Sequence, residues 1–144
     1  MRHQTFIAGA LLAGVLALAG CVQGGVKSFH ANLSGAQEVP PVPGGGTGQA
    51  DVKLDTTTKT ITWNLTYSGL SGPAVAAHIH GPAAPGSNAG VVVPFNVAGN
   101  PITGSATLTD AQISDLMAGN DYVNIHTAKN KGGEIRGQLA PGGM

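Results

Sequence analysis

The stretch Ile61-Thr62-Trp63-Asn64-Leu65-Thr66-Tyr67 carries an apolar or aromatic side chain at every second position, with a polar side chain between each pair. Successive side chains of a β-strand point to opposite faces of the sheet. This alternation therefore predicts a strand with one face in a hydrophobic core and the other in solvent.

Seven other stretches show the same alternation or a short apolar run, and clusters of Gly, Pro, Ser and Asn separate them. They are residues 29–33, 50–54, 75–80, 91–95, 102–108, 122–127 and 134–139. The chain has 144 residues, of which 23 are Gly and 9 are Pro, and only 4% are aromatic. These features predict an all-β fold, namely a single antiparallel Greek-key β-sandwich of about eight strands.

One short helix interrupts this pattern. Thr109 or Asp110 can cap its start, Gln112 follows Thr109 at capping-box spacing, and Gly119 can end it. The apolar stripe of this segment covers barely two turns. We expect the helix to close one end of the sandwich.

The amino-terminal segment has the composition of a secretory signal peptide. Arg2 supplies a positive charge, residues 6–19 are apolar, and the ending Leu18-Ala19-Gly20-Cys21 resembles the bacterial lipobox. The apolar run is shorter than the roughly 20 residues that a transmembrane helix needs. The resemblance implies that residues 1–20 are removed and that Cys21 is lipidated.

The predicted organisation follows from this cleavage. Residues 21–27 form the lipidated cysteine and a short tether, residues 28–140 form the sandwich domain, and residues 141–144 form a tail. The protein would be exported and anchored to a membrane by its lipid. Val22 lacks the Asp that often retains lipoproteins in the inner membrane, so the resemblance favours the outer membrane if the host is Gram-negative.

Composition excludes several kinds of function. Seven Lys and Arg residues balance seven Asp and Glu residues, and the charged fraction of 10% argues against nucleic-acid binding. A single Cys excludes an intramolecular disulfide framework and every cysteine-based zinc motif. We expect the aspartates to be solvated or to cap turns. They are Asp51, Asp55, Asp110, Asp115 and Asp121.

Three histidines form the candidate chemical site. His78 and His80 lie two residues apart and therefore share one face of a strand, and His126 lies in a second strand of the same kind. If these strands are neighbours, the three imidazoles meet and could bind one copper or zinc ion. His30 or Glu134 could supply a fourth ligand. Alternatively, the imidazoles hydrogen-bond to carbonyl groups and order the loop of residues 81–90.

The last strand places Glu134 and Arg136 on one face. We expect them to pair with each other or with a neighbouring strand, since a buried charge needs a partner. Alternatively, Arg136 lies beside the metal and guides an anion towards it.

The chain resembles the chordin-type CHRD domain along nearly all of residues 28–140. The stretches that carry this resemblance are Phe29-His30-Ala31-Asn32-Leu33-Ser34-Gly35-Ala36-Gln37-Glu38-Val39-Pro40-Pro41, Ala77-His78-Ile79-His80-Gly81-Pro82-Ala83, residues 116–119 with Tyr122-Val123-Asn124-Ile125-His126-Thr127, and Gly133-Glu134-Ile135-Arg136-Gly137-Gln138-Leu139. The resemblance implies an extracytoplasmic β-rich domain, found in microbial proteins and in a secreted animal growth-factor antagonist. It implies no established enzymatic activity.

A fainter resemblance is to copper–zinc superoxide dismutase, in which a His-X-His strand, a later His and an anion-attracting Arg occur in this order. His78, His80, His126 and Arg136 match that order, but no His lies between His80 and His126. The bridging ligand and the zinc half-site are therefore missing. The resemblance implies a mononuclear copper site at most.

Three functional hypotheses follow. The first is a non-catalytic binding or structural module of the cell envelope with a copper or zinc site. The second is a copper-dependent redox enzyme similar to superoxide dismutase. The third is a module for protein–protein interaction or adhesion, without metal, that presents the Pro- and Gly-rich loop of residues 40–48 to an envelope protein.

Overall fold

The computed structural model describes residues 24–142, which are almost entirely β-structure. The strands are β1 (Val26–Ser34), β2 (Thr47–Asp55), β3 (Thr60–Ser68), β4 (Ala74–His80), β5 (Val91–Phe95), β6 (Ile102–Thr107), β7 (Tyr122–Thr127), β8 (Ile135–Gln138) and β9 (Ala140–Pro141). A 3₁₀ turn (Gly35–Gln37) follows β1, and the helix α1 (Asp110–Met117) precedes β7.

Hydrogen bonds join the strands in the order β5-β4-β7-β8-β1-β2-β3-β6, and β9 pairs with β1. Strands β1 and β8 share a single partnered pair, Ser34 with Arg136, so the path bends there into two layers of four strands. The connections β3–β4, β5–β6 and β6–β7 cross between the layers, and β7 therefore lies beside β4. This Greek-key arrangement confirms the predicted all-β sandwich.

The core lies between the two layers. It is built from the alternating apolar residues of both, and the rings of Trp63 and Phe95 stack across it with centroids 4.4 Å apart. A Cβ atom on Gly104 would lie 2.4 Å from the Trp63 ring, so this position of β6 must be a glycine. The stripe that predicted β3 is correctly assigned, because Ile61, Trp63 and Leu65 are all buried.

The helix α1 begins and ends as predicted. The Thr109 hydroxyl accepts a bond from the Gln112 backbone N–H, and the Gln112 side-chain oxygen accepts one from the Thr109 backbone N–H. Gly119, with φ +75°, allows the chain to turn away. Leu116 is buried against the core. Among the described residues, no helix is long and apolar enough to cross a membrane.

The ends of the domain differ slightly from the prediction. Strand β1 begins at Val26, so the last two residues of the predicted tether belong to the sheet. Ala140 and Pro141 pair with β1, so the predicted tail starts inside β9. The predicted signal peptide and Cys21 lie outside the described residues.

Candidate metal centre

The pairing of β4 with β7 brings the three histidines together. His78 is opposite Asn124, His80 is opposite Tyr122, and His126 is opposite Ala76. Because side chains alternate along each strand, these outward positions share one face. One ring nitrogen from each of His78, His80 and His126 lies within 4.8 Å of the other two. The structure thus confirms that three imidazoles converge from two strands.

The nitrogen spacing suits an ion of moderate size. The Nδ1 atom of His78 is 3.1 Å from the Nε2 atom of His126. Bonds of about 2.0–2.1 Å to one ion place neighbouring ligand nitrogens roughly 3.3–3.6 Å apart in tetrahedral or trigonal geometry. The His78–His126 pair is already close to this value, and the wider separations need to shorten by little more than about 1 Å.

Two backbone carbonyl groups fix the orientation of the rings. The Nδ1 atom of His80 is 3.0 Å from the Ala89 oxygen, and the Nδ1 atom of His126 is 2.9 Å from the Lys131 oxygen. A carbonyl oxygen only accepts, so both Nδ1 atoms carry the proton and both Nε2 atoms carry a lone pair instead of a proton. Histidines that bind metals are held by the same kind of outer hydrogen bond.

The cluster lies at the edge of the protein interior. His80 is buried, and its Nε2 atom has no hydrogen-bond partner, whereas His78 and His126 are half-buried. Burial lowers the pKa of His78 and of His80, and the charge of His126 lowers both further. Both rings therefore favour the neutral form, which is the form that binds a metal.

Tyr122 and Arg136 pack beneath His80. The Tyr122 ring stacks on the His80 ring with centroids 4.9 Å apart and planes within 3°. The Arg136 guanidinium lies 3.4 Å from the Tyr122 ring centroid, which is a cation–π contact. The Tyr122 hydroxyl accepts a bond from the Ala89 N–H at 3.2 Å.

Arg136 is buried and bonded to the loop of residues 81–90. It is 2% exposed, and it donates to the Ser87 backbone oxygen at 2.7 Å and to the Asn88 side-chain oxygen at 3.1 Å. A guiding charge must face solvent, so this burial contradicts the anion-guiding role. Arg136 does not pair with Glu134, but the alternative, pairing with a neighbouring strand, holds for Glu134, which accepts a bond from Thr127 of β7.

Glu134 is held at the far end of β7. Its carboxylate accepts bonds from the Ser71 N–H at 2.6 Å, the Ser71 hydroxyl at 2.6 Å, the Thr127 hydroxyl at 2.5 Å and the Asn130 amide at 2.9 Å. Burial raises the pKa of Glu134, but these donors outweigh it and lower the pKa to about 2. Glu134 is not part of the histidine cluster, so its prediction as a fourth ligand is wrong.

His30 is also separate from the cluster. Its Nδ1 atom donates to the Asp51 carboxylate at 2.9 Å, and its Nε2 atom is 3.2 Å from the Asn32 side-chain oxygen, on the outer face of the other layer. The bond to Asp51 raises the pKa of His30. The prediction of His30 as a fourth ligand is therefore wrong as well.

The sequence did not indicate that two carboxyl groups near the site are buried. Glu38 is 5% exposed and Asp121 is 2% exposed, and each has a side-chain oxygen without a partner. Burial raises the pKa of Glu38 to about 7, although the Arg136 charge opposes it. Burial and the charge of Asp115 raise the pKa of Asp121 to about 7. The expectation that Asp121 is solvated or capping is wrong.

The fold and the cluster define the class of protein. It is a small all-β sandwich module with a candidate metal site on one layer. A family model described as the CHRD domain matches residues 29–139. The chain therefore belongs to the CHRD domain family, as its sequence resemblance indicated. Comparison with curated proteins and with solved structures finds no match.

Proposed function

We propose that this CHRD module is exported, anchored by a lipid on Cys21, and binds one copper or zinc ion through His78, His80 and His126. The observation that carries the metal assignment is the Nε2 atom of His80, which is buried and lacks a hydrogen-bond partner, in a residue of the three-histidine cluster. Leaving such an acceptor unpaired costs about 1–3 kcal/mol, and an ion would satisfy it.

The donor set supports copper or zinc over calcium or magnesium. All three ligands are imidazoles, two of them are oriented by carbonyl groups, and two have a lowered pKa. Imidazole suits copper and zinc, whereas calcium and magnesium prefer oxygen ligands. The role proposed for the ion is structural, because it would tie β4 to β7 and hold the loops that contain Ala89 and Lys131.

Metal retention tests this proposal directly. The full chain, purified in detergent, is equilibrated with copper or zinc, dialysed and measured by elemental analysis. We expect about one ion per chain, and a loss of retention in His78→Ala, His80→Ala and His126→Ala. His30→Ala is the matched control, because His30 lies outside the cluster and should leave retention unchanged.

Thermal melting separates binding from a purely structural role of the histidines. A ligand that binds only the folded state at 100 times its Kd stabilises it by about 2.7 kcal/mol, so Tm should rise with added metal. This rise should be absent in the three cluster variants. Equal Tm with and without metal in the wild-type chain, together with lowered Tm in the variants, would support hydrogen bonding alone.

The anchor is tested separately from the metal. Cys21→Ser should abolish incorporation of radiolabelled fatty acid and release the chain from the membrane fraction. Val22→Ala keeps the cysteine and should retain the label. A label that persists in Cys21→Ser would contradict lipidation at this residue.

An envelope protein partner is a second proposal, and the exposed loop of residues 40–48 favours it. Pro40, Pro41 and Pro43 are exposed, as are Gly44 and Gly45. Proline lowers the entropy that a loop loses on binding. Crosslinking in intact cells should give a partner that disappears when residues 43–45 are replaced by Ser, while an unchanged partner would exclude this loop.

A further inference from the structure

The loop of residues 81–90, which we call the strap, lies against the histidine cluster at His80. Its Ala89 carbonyl accepts the His80 Nδ1 proton at 3.0 Å, and the Tyr122 hydroxyl contacts the same oxygen at 3.4 Å. The strap is closed at its base by a bond from the Gly81 N–H to the Gly90 oxygen at 3.2 Å. The tautomer of His80 thus depends on where the strap places Ala89.

Polar contacts hold the centre of the strap. Arg136 donates to Ser87 and to Asn88, and the Asn88 amide in turn donates to the Val39 oxygen at 3.0 Å. Arg136 itself is almost fully buried, so these are charge-assisted bonds in a poorly solvated place. They connect the strap to β8 and to the loop after the 3₁₀ turn.

The strap has few apolar contacts of its own. Seven of its ten residues are exposed, and Ala83 is its single buried residue. A segment with little buried apolar surface opens more easily than the core. The bonds from Arg136 should therefore decide how firmly Ala89 is kept against His80.

Arg136 also supports the other side of His80. Its guanidinium lies 3.4 Å from the centroid of the Tyr122 ring, and the opposite stacking partner of Tyr122 is His80. One side chain thus contacts both structures that orient this imidazole, the strap and the tyrosine.

We infer that Arg136 is a positioning residue of the proposed metal site. It holds the strap so that Ala89 keeps the proton on the Nδ1 atom of His80, which leaves the Nε2 lone pair for the ion. The part of this inference that concerns metal release rests on the proposed metal binding, whereas the part that concerns the His80 tautomer does not.

The tautomer is measured by long-range ¹H–¹⁵N NMR on the metal-free full chain in detergent. We expect the Nδ1-protonated form of His80 in the wild-type protein and a mixture of both tautomers in Arg136→Lys and Asn88→Ala. Asn96→Ala is the matched control, because Asn96 is an exposed asparagine that bonds to Ala98 in another loop. Asn88→Ala removes one exposed side chain, so it should fold even if Arg136→Lys does not.

Metal release provides the second measurement. With a chelator in excess, zinc should leave Asn88→Ala and Arg136→Lys about 10-fold faster than the wild-type protein. Ile61→Val lowers stability in the other layer and should leave the rate unchanged. An unaltered His80 tautomer in Asn88→Ala would overturn the positioning role. Failure of the wild-type protein to bind either zinc or copper would overturn the metal proposal instead, and the tautomer would still decide the role of Arg136.

Discussion

The Nδ1 atom of His78 lies 3.1 Å from the Nε2 atom of His126, and this contact defines the proton positions of the metal-free site. The Nδ1 proton of His126 is committed to the Lys131 oxygen. In the neutral cluster, His126 must therefore accept through Nε2, and His78 must donate its proton from Nδ1. An ion bound between these two atoms needs both lone pairs.

Metal binding should consequently move the proton of His78 from Nδ1 to Nε2. His80 and His126 should keep their Nδ1 protons, because their carbonyl partners remain in place. Long-range ¹H–¹⁵N NMR before and after addition of zinc measures all three tautomers. If His78 kept its Nδ1 proton in the zinc-loaded protein, the ion would not lie between His78 and His126.

Metal retention should fall in acid. Burial and neighbouring charges lower the pKa of His78 and His80 below the ordinary value of 6.5, so protons compete with the metal below that pH. Retention measured against a chelator from pH 8 to 5 should be constant at first and then decrease below about pH 6.5. A decrease that began well above this pH would point to a ligand other than these imidazoles.

The lowered pKa values of His78 and His80 also affect the stability of the metal-free protein. A histidine with a lowered pKa stabilises the folded state above its unfolded pKa, and this stability is lost as the pH falls through the folded value. The double variant His78→Ala/His80→Ala should therefore show a shallower loss of unfolding free energy than the wild-type protein between pH 7 and 5. His30→Ala should change the slope in the opposite direction, because the pKa of His30 is raised.

The fold could be predicted because its signals are local. The alternation in residues 61–67 identified β3, and the Thr109–Gln112 spacing identified the start of α1. Strand neighbours could not be derived in this way, since β4 pairs with β7 across more than 40 residues of chain. The sequence therefore predicts that the three histidines converge only if β4 and β7 are neighbours.

The surroundings of the site could not be predicted because they depend on a loop. Because side chains alternate along β7, Tyr122, Asn124 and His126 share one outer face, but an outer face of a sheet is normally solvated. The strap contacts this face, and both Tyr122 and Arg136, which bond to it, are buried. No periodicity in residues 81–90 indicates this packing. Glu38 and Asp121 were missed for the related reason that turn-adjacent carboxylates are usually exposed.

The buried carboxyl of Asp121 should make the protein less stable at high pH. Its pKa is raised to about 7, so the folded state binds a proton that the unfolded state has already lost. The stabilisation is present below the unfolded pKa and is lost as the pH rises towards 7. Asp121→Asn should remove this dependence. The unfolding free energy of Asp121→Asn minus that of the wild-type protein should therefore be about 2 kcal/mol larger at pH 8 than at pH 4.

Urea unfolding at the two pH values measures this difference. Asp110→Asn is the control for the surface, because the Asp110 side chain is 83% exposed and should give a much smaller change. A difference between wild type and Asp121→Asn that did not vary with pH would show that the Asp121 carboxyl has the same pKa in the folded and unfolded states.

Glu134 should have the opposite pH dependence. Its pKa is lowered to about 2 by donors from Ser71, Thr127 and Asn130, so its carboxylate stabilises the folded state above the unfolded pKa. Glu134→Gln keeps the shape but removes the charge, and it should lower the unfolding free energy by about 2 kcal/mol at pH 7. The difference should shrink as the pH falls from 4.5 towards 2, where the wild-type carboxylate is itself protonated. Ser71→Ala removes one donor and should show a smaller loss with the same trend. Urea unfolding of the three proteins at pH 7 and pH 2.5 gives this comparison. If the loss of unfolding free energy were equal at both pH values, packing rather than the charge of Glu134 would stabilise this end of β7.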